Sequence, residues 1–228
     1  MANILITGAN RGIGLGLLKY HLEQGNTVVA GVRDTGADSL KALIENYGET
    51  LKVLALNLGD ETSIKRFAAA VAVDSLDVVI NNAGVCSEVE PAEWTFDYFE
   101  WHFRINSVAP MLLAQALSSK LSNGSKLINM TSGMGSAELN INPTVGLDAY
   151  AASKHALNIL THRLAVKLEE QGVVVAAISP GWVQTDMGGE CATATVEEAV
   201  ASISNTISGL TSERSGSFLT ENGDVLPW

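Results

Sequence analysis

Seven short apolar runs separated by stretches of helical character constrain this chain more than any other feature. The runs fall at 3–7, 26–32, 51–56, 76–80, 125–130, 173–178 and 216–220, and helix-like stretches at 15–24, 38–47, 60–71, 94–121, 150–171 and 196–208 lie between them. Runs this short and continuously apolar suit strands covered on both faces, as parallel sheets are. The alternation predicts an α/β chain built as one doubly wound domain over 1–228. Its seven-stranded, mainly parallel sheet would carry helices on both faces, with ligands bound outside the strands' carboxyl ends. Pro110 inside the fourth helical stretch predicts a local bend, and 180–195 reads as a polar, flexible stretch.

The first strand runs into Thr7-Gly8-Ala9-Asn10-Arg11-Gly12-Ile13-Gly14 before a helix. Strand, glycine turn, helix is the Rossmann-type context in which helix N-terminal amides face a pyrophosphate. The spacing is G-x-x-x-G-x-G, and a glycine-rich turn also serves as plain chain punctuation. The second strand ends in Arg33, where a carboxylate would hold a ribose 2′-OH and a guanidinium a 2′-phosphate. With Arg11 in the turn, this favours NADPH, and Asp34 beside Arg33 keeps NADH open. Asn57 and Leu58 end the third strand where an adenine could lie, and Asn81-Asn82-Ala83-Gly84 ends the fourth. Asn106, inside an apolar helix, asks for a hydrogen-bonding partner or mends the backbone near the bend.

Tyr150 and Lys154 stand four residues apart at the start of a helix that has no Gly or Pro before Gly172, so both lie on one face. A phenol of pKa near 10 is a poor acid at neutral pH, and a neighbouring cation lowers it at roughly 1.4 kcal/mol per unit. The same spacing fits an ordinary helix start with two exposed polar residues. Elsewhere the chain decides between them.

Composition narrows the partners. The chain is 46% hydrophobic and 17% charged, with 14 Lys+Arg against 25 Asp+Glu, a net charge of −11. That argues against nucleic acid and anionic membrane as partners. Cys86 and Cys191 stand far apart, and His21, His102, His155 and His162 show no ligand spacing, so no metal is expected. The start at Met1-Ala2-Asn3 goes straight into a strand-like run, and a cytoplasmic protein is the expectation.

Taken in order, T-G-x-x-x-G-x-G at 7–14, N-N-A-G at 81–84, Ser132 with Gly135, Y-x-x-x-K at 150–154 and P-G at 180–181 resemble the short-chain dehydrogenase/reductase family. The resemblance spans essentially the whole chain. Ser179 to Gly189 and the ending Gly216-Ser217-Phe218 … Leu226-Pro227-Trp228 resemble its sniffer and C-factor-like carbonyl-reductase branch. It implies an NADP(H)-dependent enzyme, with NAD(H) possible, acting on a small carbonyl or alcohol. By that resemblance Tyr150 is the general acid and Lys154 lowers its pKa and holds the nicotinamide ribose. Ser132 binds the substrate oxygen, and Asn106 holds a water leading from Lys154. Gly8, Asn10, Arg11, Gly12, Ile13 and Gly14 cradle the pyrophosphate, Asn57 and Leu58 the adenine, and Asn82, Ala83 and Gly84 the ribose. Pro180, Gly181, Val183 and Thr185 lie at the nicotinamide. A homodimer is implied, formed through the outer faces of the two long helices, with a tetramer as the alternative. Ser132 and Tyr150 are farther apart than in most members, and Thr131 stands where serine is commoner. A nucleotide-binding signalling protein on the same fold is the rival reading.

Overall fold

The computed structural model describes all of residues 1–228. Strands β1 (Asn3–Thr7), β2 (Thr27–Val32), β3 (Leu51–Ala55), β4 (Val78–Asn81), β5 (Lys126–Met130), β6 (Val174–Ile178) and β7 (Phe218–Leu219) form one sheet. Their order is β3-β2-β1-β4-β5-β6-β7, and every neighbouring pair is parallel, the edge strand β7 included. Helices α1 (Gly12–Glu23), α2 (Asp38–Tyr47), α3 (Glu61–Ala70), α4 (Phe96–Phe103), α5 (Ala109–Ala116), α6 (Asp148–Leu168) and α7 (Val196–Gly209) make the connections. This is the Rossmann-like α/β architecture. No helix is long and apolar enough to cross a membrane.

Strand parity explains why the runs read as continuously apolar. Ile4 and Ile6 of β1 face one way and pack with Leu17, Leu18, Ile203 and Ile207 of α1 and α7. Leu5 between them faces the other way, with Phe67, Leu113 and Ala165 of α3, α5 and α6. Residues of both parities in the central strands thus have a helix to bury against. The chain leaves β1 toward β2 and β3 on one side, then returns to β4 on the other. The turns after β1 and β4 therefore flank the point where the sheet reverses, the crevice in which such folds bind ligands.

One expectation is sharpened and one corrected. The irregularity expected at Pro110 leaves the backbone helical from Phe96 through Ala116 and takes the form of a π-helical turn, Arg104–Val108, running directly into α5. There the buried Asn106 closes on Val85: its Oδ1 accepts from Val85 N at 2.8 Å and its Nδ2 donates to Val85 O at 2.9 Å. Both halves of the amide thus serve a backbone that has no ladder partner. The stretch 180–195 is tied to itself: Gln184 N donates to Ala194 O, Ala194 N to Trp182 O, and Trp182 Nε1 to Gly188 O at 2.7 Å. Long-range pairing within a loop leaves no periodic trace in sequence.

Candidate active site

The glycine turn is built by close approach. Gly8 has φ +67° and Gly12 +52°, left-handed values that favour glycine. A Cβ on Gly8 would stand 3.0 Å from Ala83, and one on Gly14 would strike the Gly8 carbonyl and the Asn82 amide. Asn82 Nδ2 donates to Thr7 O at 3.0 Å and Ala83 N to Thr7 Oγ1 at 3.1 Å, so the β1 and β4 turns are laced together. No side chain caps α1, and no acid stands in its first turn. Its leading N–H groups face the crevice with the favourable end of the helix dipole.

A cleft of about 550 Å³ runs along this edge. Of the residues singled out from sequence, Gly8, Asn10, Arg11, Gly12, Ile13, Gly14, Arg33, Asn57, Leu58, Asn82, Ala83, Gly84, Tyr150, Lys154, Pro180 and Thr185 line it. Four do not. Asn106 is 1% exposed and lies beneath, its Oδ1 3.2 Å and Lys154 Nζ 3.6 Å from where a Gly84 Cβ would sit. Val183 is buried in the core, and Gly181 (φ +77°) faces Glu221. Ser132 sits beside the cleft, accepting from Met134 N at 3.1 Å, with its hydroxyl near enough to the Tyr150 phenol to lower its pKa. At the second-strand end Arg33 and Asp34 both line the cleft, and Asp34 Oδ1 also accepts from Gly36 N at 2.9 Å, so that carboxylate is partly spent on its own turn. Asn57 Oδ1 is likewise engaged, by Gly59 N at 3.0 Å.

On α6, Lys154 Nζ donates to Met130 O at 2.8 Å and lies 5.7 Å from the Tyr150 ring centroid. Thr131 Oγ1 donates to Asn158 Oδ1 at 2.6 Å, and Asn106 Nδ2 to Ser153 Oγ at 3.0 Å. The end of β5 and the π turn thus hold the helix face that carries Tyr150 and Lys154. Glycine turn, crevice and Tyr–Lys face form one continuous surface, and residues 2–195 match the short chain dehydrogenase family.

The chain belongs to that family. Similar proteins include the C-signal of Myxococcus xanthus, 37% identical over 169 residues, which are 72% of this chain and 100% of that protein. Among solved structures, the NADPH-bound carbonyl reductase from chicken fatty liver is 33% identical with a TM-score of 0.94, covering 100% of this chain and 99% of that one. Carbonyl reductase Sniffer of D. melanogaster is 31% identical with a TM-score of 0.93, covering both chains fully.

The electrostatics of this short-chain dehydrogenase correct one expectation. Burial outweighs any pull of Lys154 on the Tyr150 phenol. Burial pushes it up to about 12, the Cys86 sulfur when ionised adds to the rise, and the Ser132 hydroxyl opposes it. Lys154 is itself buried, which lowers it to about 8 against a smaller upward pull from Cys86. Two groups that both lose water each favour their neutral form. Burial also raises the Cys86 thiol, while Lys154 lowers it.

The dehydrogenase cleft also has walls that the sequence reading missed. Trp101 and Ile105, a helical turn apart, line it beside Leu58, and Val85, Asp186 and Met187 border it. Arg11 Nη1 meets Asp186 Oδ2 at 3.0 Å across the mouth, both side chains exposed. Spacing gave only a faint signal for the first pair, and nothing local foretold the Arg11–Asp186 pairing, which spans 175 residues.

Proposed function

We propose that this dehydrogenase is an NADPH-dependent carbonyl reductase in which Tyr150 is the general acid. The observation that carries the reading is one cleft holding the glycine turn at one end and the Tyr150–Lys154 face at the other. The residues fit a dinucleotide: uncapped α1 amides and Cβ-free Gly8, Gly12 and Gly14 for the pyrophosphate, Arg33 and Arg11 for a 2′-phosphate. When bound, the cofactor supplies hydride to the carbonyl carbon.

Negative charge then develops on the substrate oxygen. Ser132 and Tyr150, neighbours at the cleft, are the donors aimed at it, and they act most strongly as that charge forms. A phenol near 12 is fully protonated at neutral pH, so Tyr150 holds the proton that reduction consumes. Lys154, charged below about pH 8, steadies the incipient phenolate and the nicotinamide ribose. Asn106 holds the Val85 backbone in the wall beside Lys154. Asn57, Leu58, Asn82, Ala83 and Gly84 bind the adenosine half, and Pro180 and Thr185 form the wall at the nicotinamide, backed by the buried Val183. Alcohol oxidation with NADP is the same path reversed. NAD(H) is the weaker alternative, since Asp34 remains near the ribose.

The test is NADPH oxidation against a panel of ketones and aldehydes. Tyr150→Phe is expected to lose about 10²-fold or more in kcat, and equal activity in both proteins would remove Tyr150 from the mechanism. Arg33→Asp should weaken NADPH far more than NADH, and unchanged selectivity would leave the arginine a solvated bystander. The similarity to a protein named C-signal favours a second reading, a nucleotide-binding signalling protein; cofactor binding with no turnover on any carbonyl would select it. We further read the chain as one domain acting in the cytoplasm as a homodimer. Ile159 and Val166, seven apart on α6 and 46% and 64% exposed, offer an apolar outer face. A tetramer is the alternative, and sedimentation equilibrium separates the two from a monomer.

A further inference from the structure

Helix α6, which carries Tyr150 and Lys154, begins without a cap of its own. Its N-cap residue is Leu147, and no side chain of the adjoining turn accepts from the first N–H groups. Helices α3, α4 and α7 are capped by Asp60, Thr95 and Thr195 in the usual way. The missing acceptor comes from another helix. Tyr98 of α4 brings its phenol oxygen to 3.4 Å from Ala149 N, the amide just before Tyr150. That amide is the second of the helix, one of the two a local cap would engage.

The same phenol donates toward Gly146 O at 3.1 Å and Ser87 O at 3.4 Å. Its single proton and its lone pairs therefore meet three backbone groups from two segments. Gly146 O also accepts from Val89 N at 2.8 Å, and a Cβ at Gly146 would stand 2.6 Å from Val89 O. One turn farther along α4, the fully buried His102 extends the clamp. Its Nδ1 donates to Tyr98 O at 2.7 Å, which leaves Nε2 to accept from Ser87 N at 3.2 Å. The long connection between Ser132 and Tyr150 is thereby pinned at its last residues, against the segment that follows Gly84.

We propose that Tyr98 is a positioning residue for Tyr150: its phenol caps α6 from outside and fixes the approach of the substrate-side loop into the first turn of that helix. The proposal rests on the reductase reading for its effect on rate, though not for the cap itself. Tyr98→Phe keeps the ring, which packs edge-on against Phe99 and His102, and removes only the hydroxyl. Leu147→Ser, added to that variant, supplies α6 with a local acceptor for the same amide once residue 147, here at φ −104° and ψ 24°, turns to the extended backbone a cap uses.

The deciding experiment measures backbone amide exchange over 147–151 together with kcat and the Kd for NADPH. Tyr98→Phe should speed exchange at Ala149 and lower kcat about tenfold, with Kd for NADPH within twofold of wild type. The double variant should slow exchange again and regain most of kcat. Unchanged exchange in Tyr98→Phe overturns the cap. A kcat that stays low while exchange is restored overturns the link to Tyr150. Exchange is read without turnover, so a wild-type protein that reduces no carbonyl sinks the reductase reading alone.

Discussion

Lys154, not Tyr150, sets the alkaline behaviour expected of this site. The phenol stays protonated to about pH 12, whereas the ammonium, lowered to about 8 by burial, loses its charge within the working range. Carbonyl reduction should therefore fall along a limb centred near pH 8. Lys154→Arg, whose guanidinium does not deprotonate, should shift or abolish that limb, whatever it costs in rate. A wild-type profile flat to pH 10 would show that Lys154 keeps its proton. The family resemblance located both residues, but the direction of their shifts was hidden, because desolvation depends on the Met130 and Cys86 neighbourhood that folding assembles. Trp101 makes the same point. Its ring carbons stand 3.2–3.5 Å from where a Gly59 Cβ would be, beside Leu58, yet in sequence it is one apolar residue among many. Base–aromatic stacking is worth about 1–3 kcal/mol, so Trp101→Ala should raise the Kd for NADPH and for 2′,5′-ADP by about tenfold or more. Equal affinities would show that the indole only walls the cleft.

At the scale of elements, helix ends do more to position the site than helix middles. Helix α7 opens with a reciprocal capping box: Glu198 N donates to Thr195 Oγ1 at 3.2 Å, and Thr195 N to Glu198 Oε2 at 2.8 Å. It closes on Lys126 Nζ, which donates to Ile207 O and Ser208 O at 2.7 and 2.8 Å. The N-terminal box also ends the 180–195 loop, whose Thr185 packs on Gly12. Thr195→Ala should cost about 1 kcal/mol of stability in denaturant titration, and a change under a few tenths would mean the box is redundant. Elements whose determinants are local were legible: α2 and β1 fall where the apolar pattern puts them, and α3 opens at Asp60, which caps it, where the helix-like stretch 60–71 begins. The π turn, the outside cap on α6 and the internal bonding of 180–195 were not. Their partners lie tens of residues away, beyond the reach of any periodicity.

Across the whole molecule, the sheet reversal between β1 and β4 gathers the glycine turn, the Asn82 turn and the α6 face, which is why motifs scattered over 170 residues of sequence meet in one cleft. The reversal depends on β1 being central and on α1 packing down over it, and that packing has a pH-sensitive point. His21, near the end of α1, is buried, and burial lowers it to about 4. Asn26 Nδ2 lies 3.4 Å from His21 Nδ1, and Asn26 Oδ1 accepts from Ala2 N at 3.0 Å, joining α1 to the start of β1. Protonating Nδ1 would set donor against donor at that joint. The sign follows: an unfolded histidine titrates near 6.5 and the folded one near 4, so between those values the unfolded chain binds more protons. Stability should be unaffected by this group above pH 6.5 and should fall by up to roughly 3 kcal/mol as the pH drops toward 4. Carboxylates titrate over part of the same window, so the comparison is with His21→Leu, which should flatten the slope between pH 6.5 and 4.5 while leaving the carboxylate contribution in place. Parallel melting curves for the two proteins across that window would mean that His21 is solvated and that α1 is held to the sheet by its apolar face alone.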